Sequence, residues 1–198
     1  YQSDPRVVLI ETENSGTSSA RNVGLDYLFG RYNDKVKTIH AHTSEFSQCC
    51  YLHFVDSDDW IDRACIERCV QVAIRDHAQI VWHNMQTYDS VKETLNNESR
   101  LSACQLSEAR IYHGLEIFHC LPNKHFTWVA DGLIDLEFLR EHNLRFVEGI
   151  VLEDEVFGRQ LFALANRISI INAYLYFYRI RKNSNCVHVE IPDQPNPN

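Results

Sequence analysis

Three carboxylates fall within four residues in Phe54-Val55-Asp56-Ser57-Asp58-Asp59, directly after an apolar stretch. Like charges this close repel, and a divalent cation is what most readily holds such a cluster together. Hard oxygen ligands with room for water and phosphate suit magnesium or manganese. The plainer reading is that Asp59 caps a following helix, but a cap needs one acid and not three. A second acidic group, Glu153-Asp154-Glu155, opens another apolar-periodic segment. A carboxylate beside a bound anion has its pKa pushed upward, toward the basicity a proton acceptor needs. The same acids could simply stabilise the positive end of a helix. The third segment is Asn14-x-Gly16-x-Ser18-x-Ala20-Arg21-Asn22-x-Gly24. Its small residues let backbone approach a ligand, and Arg21 offers a fixed charge for a phosphate or a base edge. The glycine spacing matches neither the dinucleotide-binding nor the phosphate-loop fingerprint, and a capping turn with a solvated arginine also accounts for it.

These residues need elements to hold them. Val7–Ile10 is a short β-branched run and reads as a buried strand. Ala20, Val23, Gly24, Tyr27 and Leu28 then repeat at helical spacing, and a polar, aperiodic stretch from about Gly30 to Cys50 reads as a surface loop. Tyr51–Val55 is a second strand ending in the acids. An amphipathic helix follows over Ile61–Asp76, with Ile66, Cys69, Val70, Ala73 and Ile74 on one face. Ile80–Trp82 reads as a third strand and residues 89–100 as a loop. Short helices are expected near Leu115–Leu121 and Leu136–His142, a longer one from the Glu153 cluster to about Ala165, and a last strand over Ile168–Ile180 with Tyr174, Tyr176 and Tyr178. Strands alternating with helices predict an α/β layered domain with a largely parallel sheet. In such sheets ligands bind beyond the carboxyl ends of the strands, where Asp56–Asp59 fall. With no repeat and no linker, residues 1–190 form one domain and 191–198 a frayed tail.

With 198 residues and 44% hydrophobic content, the chain can bury one sizeable core. The 19 Lys and Arg against 27 Asp and Glu leave a net charge of −8, which disfavours nucleic acid as a partner. No apolar run approaches the roughly 20 residues of a membrane span and no signal-peptide pattern opens the chain, so a cytoplasmic domain is expected. Seven cysteines cannot all pair. Most lie in apolar segments and read as reduced, small hydrophobic groups. Cys65-x-x-x-Cys69 sits in a helical pattern with no second ligand pair at zinc-finger spacing, so a metal there is not expected. Asn97-Glu98-Ser99 fits a glycosylation sequon but lacks a secretory context.

Taken in order, the Asn14–Gly24 segment, Phe-Val-Asp-Ser-Asp-Asp-Trp, Glu-Asp-Glu and Tyr178-Arg179-x-Arg181-x-x-Ser184 resemble the inverting family-2 glycosyltransferases of the GT-A fold. The similarity covers nearly the whole chain. Asp131-Gly132-Leu133-Ile134-Asp135, the run from Phe138-Leu139 to Phe146, and Phe157-Gly158 are further similar to bacterial transferases that build lipooligosaccharide or capsule chains.

The resemblance implies a Rossmann-like, mixed and mainly parallel sheet flanked by helices. It implies transfer of a hexose from a nucleotide sugar, UDP-linked by expectation, to a saccharide or lipid-linked saccharide acceptor. Asp58 would ligate Mn2+ or Mg2+, with Asp56 helping and also contacting the donor. Arg21, Asn22 and Ser57 would lie at the nucleotide sugar. Asp154 would be the base, with Glu153 and Trp128 in the acceptor site. Arg179 and Arg181 would lie near the diphosphate or an anionic acceptor, and His188 would be an extra metal ligand. The family's fold begins with a strand–helix–strand unit, whereas Tyr1–Arg6 resembles the stretch after it. That implies a sheet incomplete at its N-terminus, with an exposed edge prone to self-association. Lipid-linked acceptors would place the protein at the inner face of the membrane. Two other readings stay open: an inactive nucleotide- or saccharide-binding fragment, and a phosphohydrolase with Asp56 as nucleophile, for which no downstream Lys and Ser/Thr at matching spacing is evident.

Overall fold

The computed structural model describes residues 4–41, 49–96, 101, 104–121 and 129–181. Eight strands and five helices are assigned among them. In chain order they are β1 (Val8–Thr12), α1 (Thr17–Leu28), β2 (Val36–Ala41), β3 (Tyr51–His53), β4 (Trp60–Ile61), α2 (Cys65–Asp76), β5 (Ile80–Asp89), β6 (Thr94–Asn96), α3 (Gly114–Cys120), β7 (Gly132–Asp135), α4 (Leu136–Glu141), α5 (Glu153–Leu164) and β8 (Ile168–Ile180).

The main sheet has the order β3-β7-β5-β8-β4, with β6 paired to β5. It is mixed, but less parallel than the alternation of elements predicts. β5 and β8 pair in parallel, and the β3–β7, β7–β5, β5–β6 and β8–β4 pairings are antiparallel. The reason is one inserted strand. β3 and β5, joined through α2, run the same way as a helical crossover requires. β7 then slots between them, antiparallel to both.

Alternation along the strands divides the core into two layers. Ile80, Trp82, Ile134, Ile168 and Ile170 face a cluster that includes Leu25, Ile117, Phe157, Leu161 and Phe162 from α1, α3 and α5. Val81, Leu133, Ile171 and Leu175 face Cys65, Cys69 and Ala73 of α2 on the other side. Helices thus cover both faces, which is what lets the strands read as near-continuous apolar runs. On α2 the buried stripe is Cys65, Cys69 and Ala73. Ile66 and Ile74, expected to face inward, are 42% and 60% exposed. The two cysteines and the alanine sit at i, i+4 and i+8, and small side chains let the helix lie close on the sheet.

The stretch expected to be a loop between Gly30 and Cys50 contains β2, which pairs antiparallel with β1 in a separate two-stranded sheet. β1 is accordingly not a buried strand: Leu9 is 45% exposed. No helix among the described residues is long and apolar enough to cross a membrane.

Candidate active site

The acidic turn is built by a strand that stops. β3 ends at His53, and Asp56–Asp59 closes as a turn, with the Asp59 N–H donating to the Asp56 carbonyl at 3.1 Å. The chain then re-enters the sheet as β4, where Trp60 pairs with Phe177 of β8. Asp59 therefore does not cap α2, because β4 intervenes. Its Oδ2 accepts from the Tyr176 hydroxyl at 2.7 Å and its Oδ1 from the Arg179 N–H at 2.8 Å. The same Tyr176 oxygen accepts from the Asp56 N–H at 3.1 Å, so one buried tyrosine pins both ends of the turn. Burial pushes the Asp59 carboxyl above its ordinary value against those hydrogen bonds, and the charges of Asp58 and Asp56 add to the rise. The Tyr176 hydroxyl is raised as well, by burial and then by its bond to Asp59.

The two other acids face arginines. Asp58 pairs with Arg181 at 2.5 Å, and Asp56 pairs with Arg21 at 2.9 Å. Arg21, early in α1, also reaches Glu153 at 3.3 Å and lies over the Phe146 ring, 5.1 Å from its centroid. Its side chain is only 17% exposed. One guanidinium thus joins the turn after β3 to the start of α5. Asn22, the next residue, is buried; its Nδ2 donates to the Phe146 carbonyl and its Oδ1 accepts from the Phe146 N–H, both at 2.9 Å. That pair of bonds holds the segment that carries the ring beneath Arg21.

Glu153, Asp154 and Glu155 form the first turn of α5. The residue before them, Leu152, takes a left-handed conformation at φ 64°, a costly one for a leucine. Asp154 accepts from the Glu155 N–H at 2.9 Å. Burial raises its carboxyl above the ordinary range, and the neighbouring Glu153 charge adds to the rise.

Of the residues expected in the site, the structure gathers Arg21, Asp56 and Glu153 around one guanidinium, with Asp154 next along the helix. It sets Asp58 and Arg181 together on the other side of the turn. Ser57 is exposed at the turn's tip. The Arg179 guanidinium lies over the Trp60 ring at 5.2 Å, so its backbone, not its charge, meets the acids. Trp128 and His188 lie outside the described residues. Two supporting side chains were not singled out from sequence, Phe146 and Tyr176. Tyr176 stood among three alternating tyrosines, and only the pairing of β4 with β8 distinguishes it from the others.

Asp56 and Asp58 offer two half-exposed carboxylates on one turn, hard oxygen donors of the kind a divalent cation takes. The three acids do not converge on one point, since Asp56 turns to Arg21, Asp58 to Arg181 and Asp59 to Tyr176. A separate group, His53, Cys65 and His83, does bring its ligand atoms within 4.8 Å of one another.

This layered α/β architecture, with acids at the end of a strand and at the head of a later helix, is that of the GT-A class. The chain belongs to glycosyl transferase family 2, whose family model matches residues 1–142. That match includes Arg21 and the acidic turn and stops before Glu153. Among curated proteins, the chain is 27% identical to glycosyltransferase GlyA of Streptococcus pneumoniae serotype 4 over 91% of its length. It is 29% identical to the uncharacterized glycosyltransferase EpsJ of Bacillus subtilis over 97% of its length. The chain spans 23% of the first relative and 49% of the second. In fold it is similar to S. aureus TarS 1-349, solved in complex with UDP-GlcNAc, with TM-score 0.56 and 17% identity over 88% of this chain and 42% of that one. A second structure of S. aureus TarS 1-349 gives TM-score 0.58 at 18% identity, over 84% of this chain and 41% of that one.

Proposed function

We propose that the protein is an inverting glycosyltransferase that moves a hexose from a UDP-linked sugar to a saccharide acceptor during bacterial surface-glycan synthesis. The observation that carries this reading is the Arg21 guanidinium shared between Asp56 and Glu153. It joins the acidic turn, read here as the donor side, to the helix start that bears the half-buried, weakly acidic Asp154. A single displacement needs those two groups on either side of one sugar ring.

Asp154 takes the proton from the acceptor hydroxyl as that oxygen attacks the anomeric carbon. The bond from that carbon to the diphosphate oxygen breaks, its electron pair leaves with the nucleotide, and configuration inverts. Holding Asp154 above the ordinary carboxylate range makes it a better proton acceptor. Asp56 and Asp58 would hold Mn2+ or Mg2+, which would supply positive charge to offset that of the departing diphosphate. Arg21, Asn22 and Ser57 make the nucleotide side and Glu153 the acceptor side, and Arg181, paired with Asp58, is assigned to the diphosphate. The UDP-GlcNAc carried by the TarS fold neighbour supports a uridine donor. Residues 1–190 act as one catalytic domain, at the inner face of the membrane if the acceptor is lipid-linked.

The test is the anomeric configuration of the product, read by NMR from the full-length protein given an α-linked UDP-hexose and acceptor. A β-linked product supports the reading and an α-linked one overturns it. Phosphate release from a phosphomonoester would point to the phosphohydrolase instead. Donor binding without any transfer would point to a binding module.

A further inference from the structure

Beneath the acidic turn, on the α2 face of the sheet, three side chains meet that the transfer reaction does not use. His53 ends β3, His83 lies in β5 and Cys65 opens α2. Their Nε2 atoms are 3.1 Å apart, and the Cys65 Sγ lies 3.7 Å from one and 3.8 Å from the other. Cys65 and His83 are fully buried.

The tautomers follow from the backbone. His53 Nδ1 lies 2.9 Å from the Phe54 carbonyl oxygen and His83 Nδ1 lies 3.1 Å from that of Asn84. A carbonyl only accepts, so each Nδ1 carries the hydrogen and each neutral ring presents a lone pair at Nε2. The rings lie within 10° of parallel with centroids 5.4 Å apart, so they meet nitrogen to nitrogen rather than face to face. Two neutral rings that bring their lone pairs within 3.1 Å of each other, with a sulfur beside both, repel unless something positive sits among them.

The spacings match a particular occupant. Bond lengths of about 2.05 Å to nitrogen and about 2.3 Å to sulfur, at tetrahedral angles, put two nitrogens about 3.3 Å apart and sulfur about 3.6 Å from each. The observed 3.1, 3.7 and 3.8 Å lie within a few tenths of those values. Histidines that bind metals also characteristically donate their other ring N–H to a carbonyl or carboxylate, as both do here. Cys69, also buried, lies one helical turn along α2 from Cys65. The i, i+4 spacing of the cysteines is also one by which a helix offers paired ligands.

From this geometry we infer that His53, His83 and Cys65 bind a structural zinc ion, with Cys69 as the fourth ligand after a rotation of its side chain. The ion would fasten β3, β5 and α2 to one another. It would also steady the acidic turn, which starts three residues after His53. The His53 ring lies 6.3 Å from that of Tyr176, the residue that pins the turn. This site is distinct from the Mn2+ or Mg2+ of the donor side in both ligand hardness and burial.

The experiment measures metal content of the full-length protein after dialysis and then records its spectrum with cobalt in place of zinc. About one zinc per chain is expected, as is a tetrahedral cobalt spectrum with a thiolate charge-transfer band. Cys65→Ser and His83→Asn should each take zinc from about one per chain to near none. Cys69→Ser should leave about half of the charge-transfer band. Asp58→Asn should leave zinc and spectrum unchanged. Should the variants fail to fold, X-ray absorption on the wild-type protein reads the same answer as a mixed sulfur and nitrogen shell. An oxygen-only shell, cobalt lost with Asp58→Asn, or a metal-free wild type whose histidines merely share a proton would overturn the assignment.

Discussion

Two groups of metal-capable side chains sit at either end of the short span from His53 to Asp56, and their settings are opposite. Asp56 and Asp58 have side chains 36% and 30% exposed and are each paired with an arginine. Cys65 and His83, by contrast, are fully buried and meet His53 nitrogen to nitrogen and sulfur to nitrogen. Hard oxygens near water suit an ion that arrives with a diphosphate and leaves with it. Softer donors in a dry layer suit an ion that stays. On this reading one strand end would carry both groups, His53 on the strand itself and Asp56 and Asp58 in the turn beyond it.

Substitutions can break or sharpen that contrast. Asp26→Asn should have the largest effect on stability, about 3 kcal/mol, because it strands the Arg145 guanidinium that clasps the buried Asp26 carboxylate. It should leave both metal groups intact, and chemical denaturation checks it. The pairing with Arg145 holds the Asp26 carboxyl below its ordinary value. This contribution is therefore fully present above the unfolded-state pKa and lost as pH falls through the depressed folded value, which an acid denaturation curve of the wild type against Asp26→Asn would show.

Arg21→Met should cost less stability, about 2 kcal/mol, since solvent partly screens Asp56 and Glu153. Its clearer mark should be loss of donor binding, measured by calorimetry, with the His53–Cys65–His83 group unaffected. Tyr176 is the one side chain named here that bonds to the acids and also stacks near His53, so Tyr176→Phe sharpens the comparison most. Removing its hydroxyl should cost about 1 kcal/mol, or roughly five-fold in donor affinity, while the packing of the ring is kept.

The smallest effect is a shift in pH dependence. With the Asp154 carboxyl raised, kcat/KM should fall on acidification at a pH above the ordinary carboxylate range. Glu153→Gln removes a neighbouring negative charge and should move that limb partway to lower pH, because burial, the larger cause, remains. A pH–rate profile of both proteins reads the shift.

What the sequence revealed follows how local each feature is. β8 runs over Ile168–Ile180 as expected, since a long β-branched and aromatic run leaves little doubt about strand or extent. α5 matches to within a residue because Glu153-Asp154-Glu155 marks its first turn. β2 was hidden because its residues are almost all exposed, which removes the apolar alternation a strand is read by. The insertion of β7 between β3 and β5 was hidden too, as no local pattern says which strand a returning chain will pair with. At the site, the three acidic and arginine segments were legible from residue type. Tyr176 and Phe146 were not, because an aromatic in an apolar run looks the same whether it fills the core or seats a charged group. His53, Cys65 and His83 come from two strands and a helix, at separations of 12 and 18 residues that match no metal-binding spacing.

The central claim is that Asp154 acts on the acceptor while Asp56 and Asp58 act on the donor, across one shared arginine. Asp154→Asn in the full-length protein tests it most directly, with donor affinity and sugar transfer measured on the same sample. The account predicts wild-type affinity for the UDP-sugar and a transfer rate lower by roughly a hundred- to ten-thousand-fold. Transfer that persists near the wild-type rate, or donor binding that vanishes with it, would contradict the assignment.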